Sequence, residues 1–165
     1  MTTYALAKWL HILSAATLFG TGAGIAFFTW VSYVRCGRAR DLAGLRQILE
    51  ITVIADWVFT ASAIVLQLTT GLWLMTILGV PWLTVWSAWV FGLFAIAGVC
   101  WIPVVIIQFR LRNMARNASH WGDLGEEFQR QYRMWFVLGI PAFVGVMALY
   151  WLMIMKPGFT APLGA

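Results

Sequence analysis

Charged residues are scarce in this sequence. They make up 10% of the 165 residues, whereas about a quarter is usual in soluble domains. Hydrophobic residues make up 62% and are gathered into long runs, so the solvent for most of the chain is lipid. The scarcity of charge therefore excludes a soluble globular protein, and we expect one membrane domain over residues 1–165, with the lipid bilayer as its partner.

Cysteine and histidine are scarce as well. The two cysteines form no CxxC or CxxCH spacing, which excludes a zinc ribbon and covalent attachment of a c-type haem. We predict no metal site. Of the two histidines, His11 falls inside an apolar run and His120 in a polar connection. A two-haem cytochrome with four histidine ligands is therefore excluded.

The long apolar runs predict helices. Four such runs exceed the roughly 20 residues that a helix needs to cross the hydrocarbon core. We predict an all-α membrane protein, a four-helix transmembrane bundle with helices over residues 4–34, 42–78, 82–112 and 124–155. Asp41 is the predicted N-cap of the second helix.

The distribution of arginine predicts the orientation. The connections 35–46 and 110–133 hold nine arginines, the turn at 79–81 holds none, and each end of the chain carries one lysine. By the positive-inside rule both connections are cytoplasmic and both termini lie on the outer, periplasmic side. Since the arginines cluster at the ends of apolar runs, the net charge of +5 does not indicate a nucleic-acid partner. We expect a multi-pass protein of the bacterial inner (plasma) membrane.

The tryptophans are expected to form a belt at each membrane interface. The outer belt is predicted to contain Trp9, Trp73, Trp82, Trp86 and Trp151, and the inner belt Trp30, Trp57 and Trp135. Trp101 lies deeper, and we expect it to pack against a neighbouring helix.

The second helix carries a polar stripe. Its members lie within about 40° of one direction at helical spacing: Thr52, Asp56, Thr60, Ala63, Gln67 and Thr70. Polar groups are costly against lipid, so the stripe should face the bundle interior. Asp56 is the carboxylate well inside an apolar run, and we expect it to pair with Arg110, Arg133 or an arginine after the first helix. Asp56 serves either in a structural ion pair near the inner interface or in a proton relay or substrate contact.

The first helix places His11 and Ser14 on one side, which we expect to line the interior. By depth, Gln67 and Thr70 are the stripe residues nearest to His11. Three roles stay open for this histidine: a hydrogen bond to a neighbouring helix, ligation of a haem iron, or handling of a proton or substrate.

A haem at His11 requires either a second ligand or an open position. Met147 and Met153 are near the outer end of the fourth helix, so histidine–methionine ligation is conceivable. Methionine is also ordinary packing material in helices.

Gly20 and Gly24 lie on nearly the opposite side of the first helix from His11. Their spacing of four lets another backbone approach closely. The partner is either another helix of the same chain, which we favour, or a second protomer.

At Lys8-Trp9-Leu10-His11-Ile12-Leu13-Ser14, followed by a glycine-rich half-helix, the chain resembles a family of uncharacterised bacterial four-helix predicted integral membrane proteins. More distantly, the Trp-Leu-His-Ile start looks like the first helix of CopD-type copper-resistance proteins and HemJ-type protoporphyrinogen oxidases. The HemJ resemblance implies a b-type haem and a ligand or catalytic role for His11 alone.

Two functions therefore stand as hypotheses. The first is a redox-linked membrane protein that binds one b-type haem or porphyrin near the outer surface. The second is a non-enzymatic membrane subunit or small carrier that uses the Asp56 polar stripe for proton or solute contact. In both cases a homo-oligomer or a larger membrane complex is open.

Overall fold

The computed structural model describes residues 2–158. Its α-helices are α1 (Thr3–Ala39), α2 (Leu42–Ala55), α3 (Ser62–Leu78), α4 (Val85–Asn117) and α5 (Gly125–Met155). A π-helical segment, Asp56–Ala61, joins α2 and α3 into one continuous helix. Four helices in the described residues are thus long and apolar enough to cross a membrane. The predicted all-α bundle of four membrane helices is confirmed.

The helix ends follow local chemistry. Asp41 accepts a hydrogen bond from the Gly44 backbone N–H at 2.9 Å, so it caps α2 as predicted. The first helix runs past residue 34 and ends where Arg40 turns into the left-handed region with φ of 53°. α4 begins later than predicted, because Thr84 and Ser87 form a capping box in front of it.

The two arginine-rich connections meet at one end of the bundle. Arg46, at the start of α2, donates from Nε to the Ala115 carbonyl at 2.8 Å and from Nη2 to the Ala118 carbonyl. These bonds satisfy carbonyls at the end of α4, which extends to Asn117 rather than 112. Glu50 and Arg116 add an ion pair at 2.8 Å. The two connections therefore lie at the same end of the bundle, which is necessary if both are on the same side of the membrane.

The buried hydrophobic side chains form two clusters. The larger cluster fills the arginine-rich end between α2, α4 and α5, and its most buried members are Leu45, Leu111, Ala115 and Phe128. The smaller cluster lies at the opposite end and contains Met75, Val80 and Trp86. Between these clusters α1 packs along α2 and α3, and α4 packs along α5.

Two tryptophans depart from the predicted belts. Trp86 is 6% exposed and donates from Nε1 to the Leu152 carbonyl at 2.9 Å. Trp135 is 4% exposed and belongs to the larger cluster. Both indoles lie inside the bundle because their N–H groups have protein acceptors there. The other belt residues are exposed, as membrane-facing anchors are.

Gly20 and Gly24 lie on an open part of α1. A Cβ built at either position meets no heavy atom of another described helix within 4 Å. The close approach of another helix of the same chain, which we favoured, is therefore not made at these glycines. Packing against a second copy stays a prediction.

Candidate functional site

The π-helical segment turns two polar side chains inward. Asp56 and Thr60 are each 4% exposed, whereas the intervening Trp57, Val58 and Phe59 are all more than half exposed. The wider turn thus presents its polar positions to the bundle and its apolar positions to the membrane. Short π-helical turns inside α-helices occur frequently at functional sites.

Neutral groups surround the carboxyl of Asp56. Trp101 Nε1 lies 3.4 Å from Asp56 Oδ1 and donates to it. The Gln108 amide, in the orientation that satisfies both of its neighbours, donates to Asp56 Oδ2 at 3.1 Å and accepts from Trp135 Nε1 at 3.2 Å. The carboxyl is thereby connected to both α4 and α5.

The predicted arginine partner of Asp56 is not found. Within residues 2–158 no basic side chain forms an ion pair with this carboxyl. The physical reason is that Asp56 points to the centre of the bundle, where α4 offers tryptophan and glutamine. Arg110 and Arg133 are exposed instead, as expected of residues near the arginine-rich end.

A cavity of about 310 Å³ opens beside these groups in the middle of the bundle. Its polar wall consists of Asp56, Thr60, Trp101, Gln108 and Trp135, and the rest of the lining is mostly apolar and comes from all four spans. The Thr60 hydroxyl is buried beside the Asp56 carboxyl, and its oxygen accepts no hydrogen bond from a described residue. A small apolar cavity with a few convergent polar groups is the usual form of a small-molecule site.

A second polar cluster connects α1 to α3 in the half of the bundle opposite the arginine-rich connections. His11 Nδ1 lies 2.9 Å from Thr70 Oγ1, and His11 Nε2 lies 3.0 Å from Gln67 Nε2. Ser14 Oγ donates to Gln67 Oε1 at 2.6 Å. Since the amide nitrogen only donates, Nε2 of the imidazole accepts and Nδ1 carries the proton. Both ring nitrogens of His11 are thus occupied by side chains of α3.

Glycine at position 71 leaves room for the His11 ring. A Cβ at Gly71 would lie 3.2 Å from His11 Cε1, so the ring rests against bare backbone. The sequence analysis did not predict a role for Gly71, although this glycine directly follows the stripe residue Thr70.

The remaining predicted residues fall in separate places. Thr52 lies 2.7 Å from Thr29 Oγ1 in a buried contact between α2 and α1. Met153 packs against the smaller cluster, and Met147 is 47% exposed. The polar stripe as a whole lies against α1 and the bundle centre, because its members are buried or half-buried.

Gln108 was missed by the sequence reasoning. Gln108 is an amide residue inside an apolar run, and it is 3% exposed. The sequence signal for it was that an amide facing lipid is costly, so such a residue is expected to face the bundle interior.

A bundle of four long apolar helices, with its polar side chains turned inward, defines an integral membrane protein. Comparison with known protein families identifies the family within this class. Residues 5–157 match the family described as "Predicted integral membrane protein (DUF2269)", and the chain belongs to this family. No curated protein matches the chain, and no solved structure matches it.

Proposed function

We propose that this chain is a non-enzymatic membrane carrier or subunit that takes up a proton, and with it a small solute, at Asp56. The observation that carries the proposal is a carboxyl group that is 4% exposed beside a cavity and has no basic partner among the described residues. An ionised carboxylate in the middle of a membrane helix costs about 2.5–3.5 kcal/mol on insertion scales. Binding a proton or a cationic solute removes that cost.

The surroundings of the carboxyl suit reversible binding. Trp101 and Gln108 donate hydrogen bonds to it, which stabilises the ionised form. Burial opposes the same form. Because these two influences oppose each other, the carboxyl can bind and release a proton, and a bound cation balances the charge of the ionised form.

The proposal includes an orientation. We propose a location in the bacterial inner membrane, with connections 35–46 and 110–133 in the cytoplasm and both termini outside. The contact of Arg46 with Ala115 supports a common side for the two connections. The His11 cluster then lies in the outer half of the bundle, and a homo-oligomer or larger complex remains open through the uncovered Gly20 and Gly24.

Haem or porphyrin binding at His11 is the second candidate and stays a prediction. The imidazole lies between α1 and α3, and cofactor sites in bundles are commonly built from side chains of facing helices. The residues as folded do not fit the group, because ligation needs the Gln67 amide to withdraw from Nε2. An absorption spectrum of the purified protein, oxidised and then reduced, tests it alongside His11→Ala. A protein that remains colourless after haem is supplied contradicts it.

A pH titration of tryptophan emission tests the leading proposal. Trp101 contacts the carboxyl directly, so loss or gain of the proton on Asp56 should change its emission. We expect a titration in the wild type that Asp56→Asn abolishes and Trp101→Phe diminishes. Glu126→Gln, which removes an exposed carboxylate, is the matched control and should leave it unchanged. The same curve in Asp56→Asn as in the wild type refutes the proposal.

A further inference from the structure

We infer that the solute of the central cavity is a small lipophilic amine in its protonated form, which exchanges with the proton on Asp56. This inference rests on the proposed function, because both require Asp56 to be the charge of the site.

The charge of the cavity wall sets the sign of the ligand. The residues that α1, α3, α4 and α5 contribute to the lining are all neutral, and Asp56 from the π-helical segment is the titratable member. Among the described residues that line the cavity, an ionised Asp56 therefore faces no competing cation. A cationic ligand neutralises the carboxylate, whereas an anionic ligand is repelled by it.

The aromatic content of the wall favours an organic cation over a metal ion. Six aromatic side chains line the cavity: Phe19, Phe94, Trp101, Trp135, Phe136 and Phe143. Phe19 and Phe143 stack on each other at 5.3 Å between ring centroids, so part of this wall is held in place. Aromatic faces attract ammonium groups and also pack against the apolar body that carries them. The wall offers few oxygen atoms, which hard metal ions need in larger number.

Thr60 adds an acceptor for a ligand with an N–H group. Its hydroxyl lines the cavity beside the Asp56 carboxyl, to which its O–H can donate, and the residue is 4% exposed. The lone pairs of Oγ1 accept no hydrogen bond from a described residue, so the oxygen is still able to accept one. A protonated amine that reaches Asp56 can donate an N–H bond to this oxygen, which a quaternary ammonium cannot.

The rim of the cavity indicates entry from the membrane. Phe136, Ile140 and Val144 line the cavity at helical spacing, and all three are exposed on the surface of α5. A lipophilic amine concentrates in the bilayer and can enter there without passing the arginine-rich end. A volume of about 310 Å³ lies at the small end of small-molecule sites, which suits a body of single-ring size.

Two probes that share one body test the inference by calorimetric titration of the full-length protein in detergent. Benzyltrimethylammonium keeps its charge at every pH, and protonated N,N-dimethylbenzylamine adds an N–H donor. We expect both to bind the wild type. Affinity for the quaternary probe should fall about tenfold per pH unit once the solution is acidic enough to protonate Asp56, because one proton and one cation compete.

The variants separate the roles of the two side chains. Asp56→Asn should weaken both probes roughly thirtyfold or more, because it removes one partner of a buried charge pair. Thr60→Val, which keeps the shape of the side chain, should lower only the affinity for the probe with the N–H group, by about fivefold. Glu126→Gln should bind both probes as the wild type does.

The outcomes also separate the inference from the proposed function. If Asp56 titrates in the emission experiment but neither probe binds, the amine inference is overturned and the proton site stands. Binding that is independent of pH and of Asp56→Asn shows a merely apolar cavity and also overturns the inference. If Asp56 does not titrate and no probe binds, both the proposed function and the amine inference are overturned.

Discussion

Trp101 Nε1 donates to Asp56 Oδ1 across 3.4 Å, which connects α4 to the π-helical turn of the second span. Gln108 continues the connection to Trp135 on α5. Hydrogen bonds therefore connect Asp56 to side chains of two other spans, and under the proposed function a change of charge on Asp56 acts on all three. This coupling is what a carrier or a regulated subunit requires of its binding group.

Replacement of Asp56 by asparagine should leave the protein as stable as the wild type or more so. The new amide oxygen keeps the bond from Trp101, and the loss of the bond from Gln108 is offset because the cost of a buried carboxyl disappears. Thermal unfolding in detergent, followed by near-ultraviolet circular dichroism, measures this. A clear drop in Tm would mean that the carboxyl is mainly structural.

Gly71→Ala should destabilise the protein relative to Gly20→Ala by about 1–2 kcal/mol. Both changes gain the same helix propensity, but the new methyl group at Gly71 would lie 3.2 Å from His11 Cε1, whereas at Gly20 it meets open space. The free energy of unfolding, from a denaturing-detergent titration, gives the difference. In a His11→Ala background the two alanine variants should become equal, and a persisting difference contradicts the account.

The removal of Arg46 should cost more stability than the removal of Arg116. Arg46 donates to two backbone carbonyls at the end of α4, and hydrogen bonds from a charged donor are worth about 1.5–3 kcal/mol. Arg116 forms an exposed ion pair with Glu50, and salt screens such pairs strongly. Unfolding of Arg46→Ala and Arg116→Ala at low and high salt compares them. The reverse order would show that the ion pair, not the cap, joins the two connections.

Much of the fold follows from local sequence chemistry. Apolar length set the number of membrane helices, and Asp41 marked the start of α2 through its capping side chain. The arginine pattern predicts that both connections lie on one side of the membrane, and this stays a prediction. The contact of Arg46 with Ala115 shows that they meet at one end of the bundle. These features depend on residues near one another in sequence or on composition alone.

The site was only partly predictable, because its contacts depend on how the helices rotate against each other. The sequence identified Asp56 but gave it an arginine partner, since charge pairing is the general solution for a buried carboxylate. The fold instead supplies Trp101 and Gln108, neutral residues of α4 that carry no pattern of their own. The π-helical turn at Asp56–Ala61 was also not predicted. The spacing of the polar residues in the sequence does not distinguish a regular α-helix from one that contains a single π-helical turn.

A topology experiment checks the proposed orientation. Alkaline phosphatase, which is active only outside the cytoplasm, should be active when inserted at Gly79 and inactive when inserted at Gly122. Gly79 lies in the charge-free turn, and Gly122 in the arginine-rich connection between α4 and α5. A fluorescent protein that folds in the cytoplasm, inserted at the same positions, is the complementary control. The opposite pattern at both positions would invert the bundle.

The most direct measurement for the central claim is an infrared difference spectrum of the purified protein in lipid, recorded across pH. A neutral carboxyl group has a carbonyl stretching band that an ionised one lacks. The account predicts a band that titrates in the wild type and in Glu126→Gln but is missing from Asp56→Asn, and that shifts in position in Trp101→Phe, where a hydrogen bond is lost. Identical spectra for the wild type and Asp56→Asn at every pH would contradict it, since Asp56 would then exchange no proton.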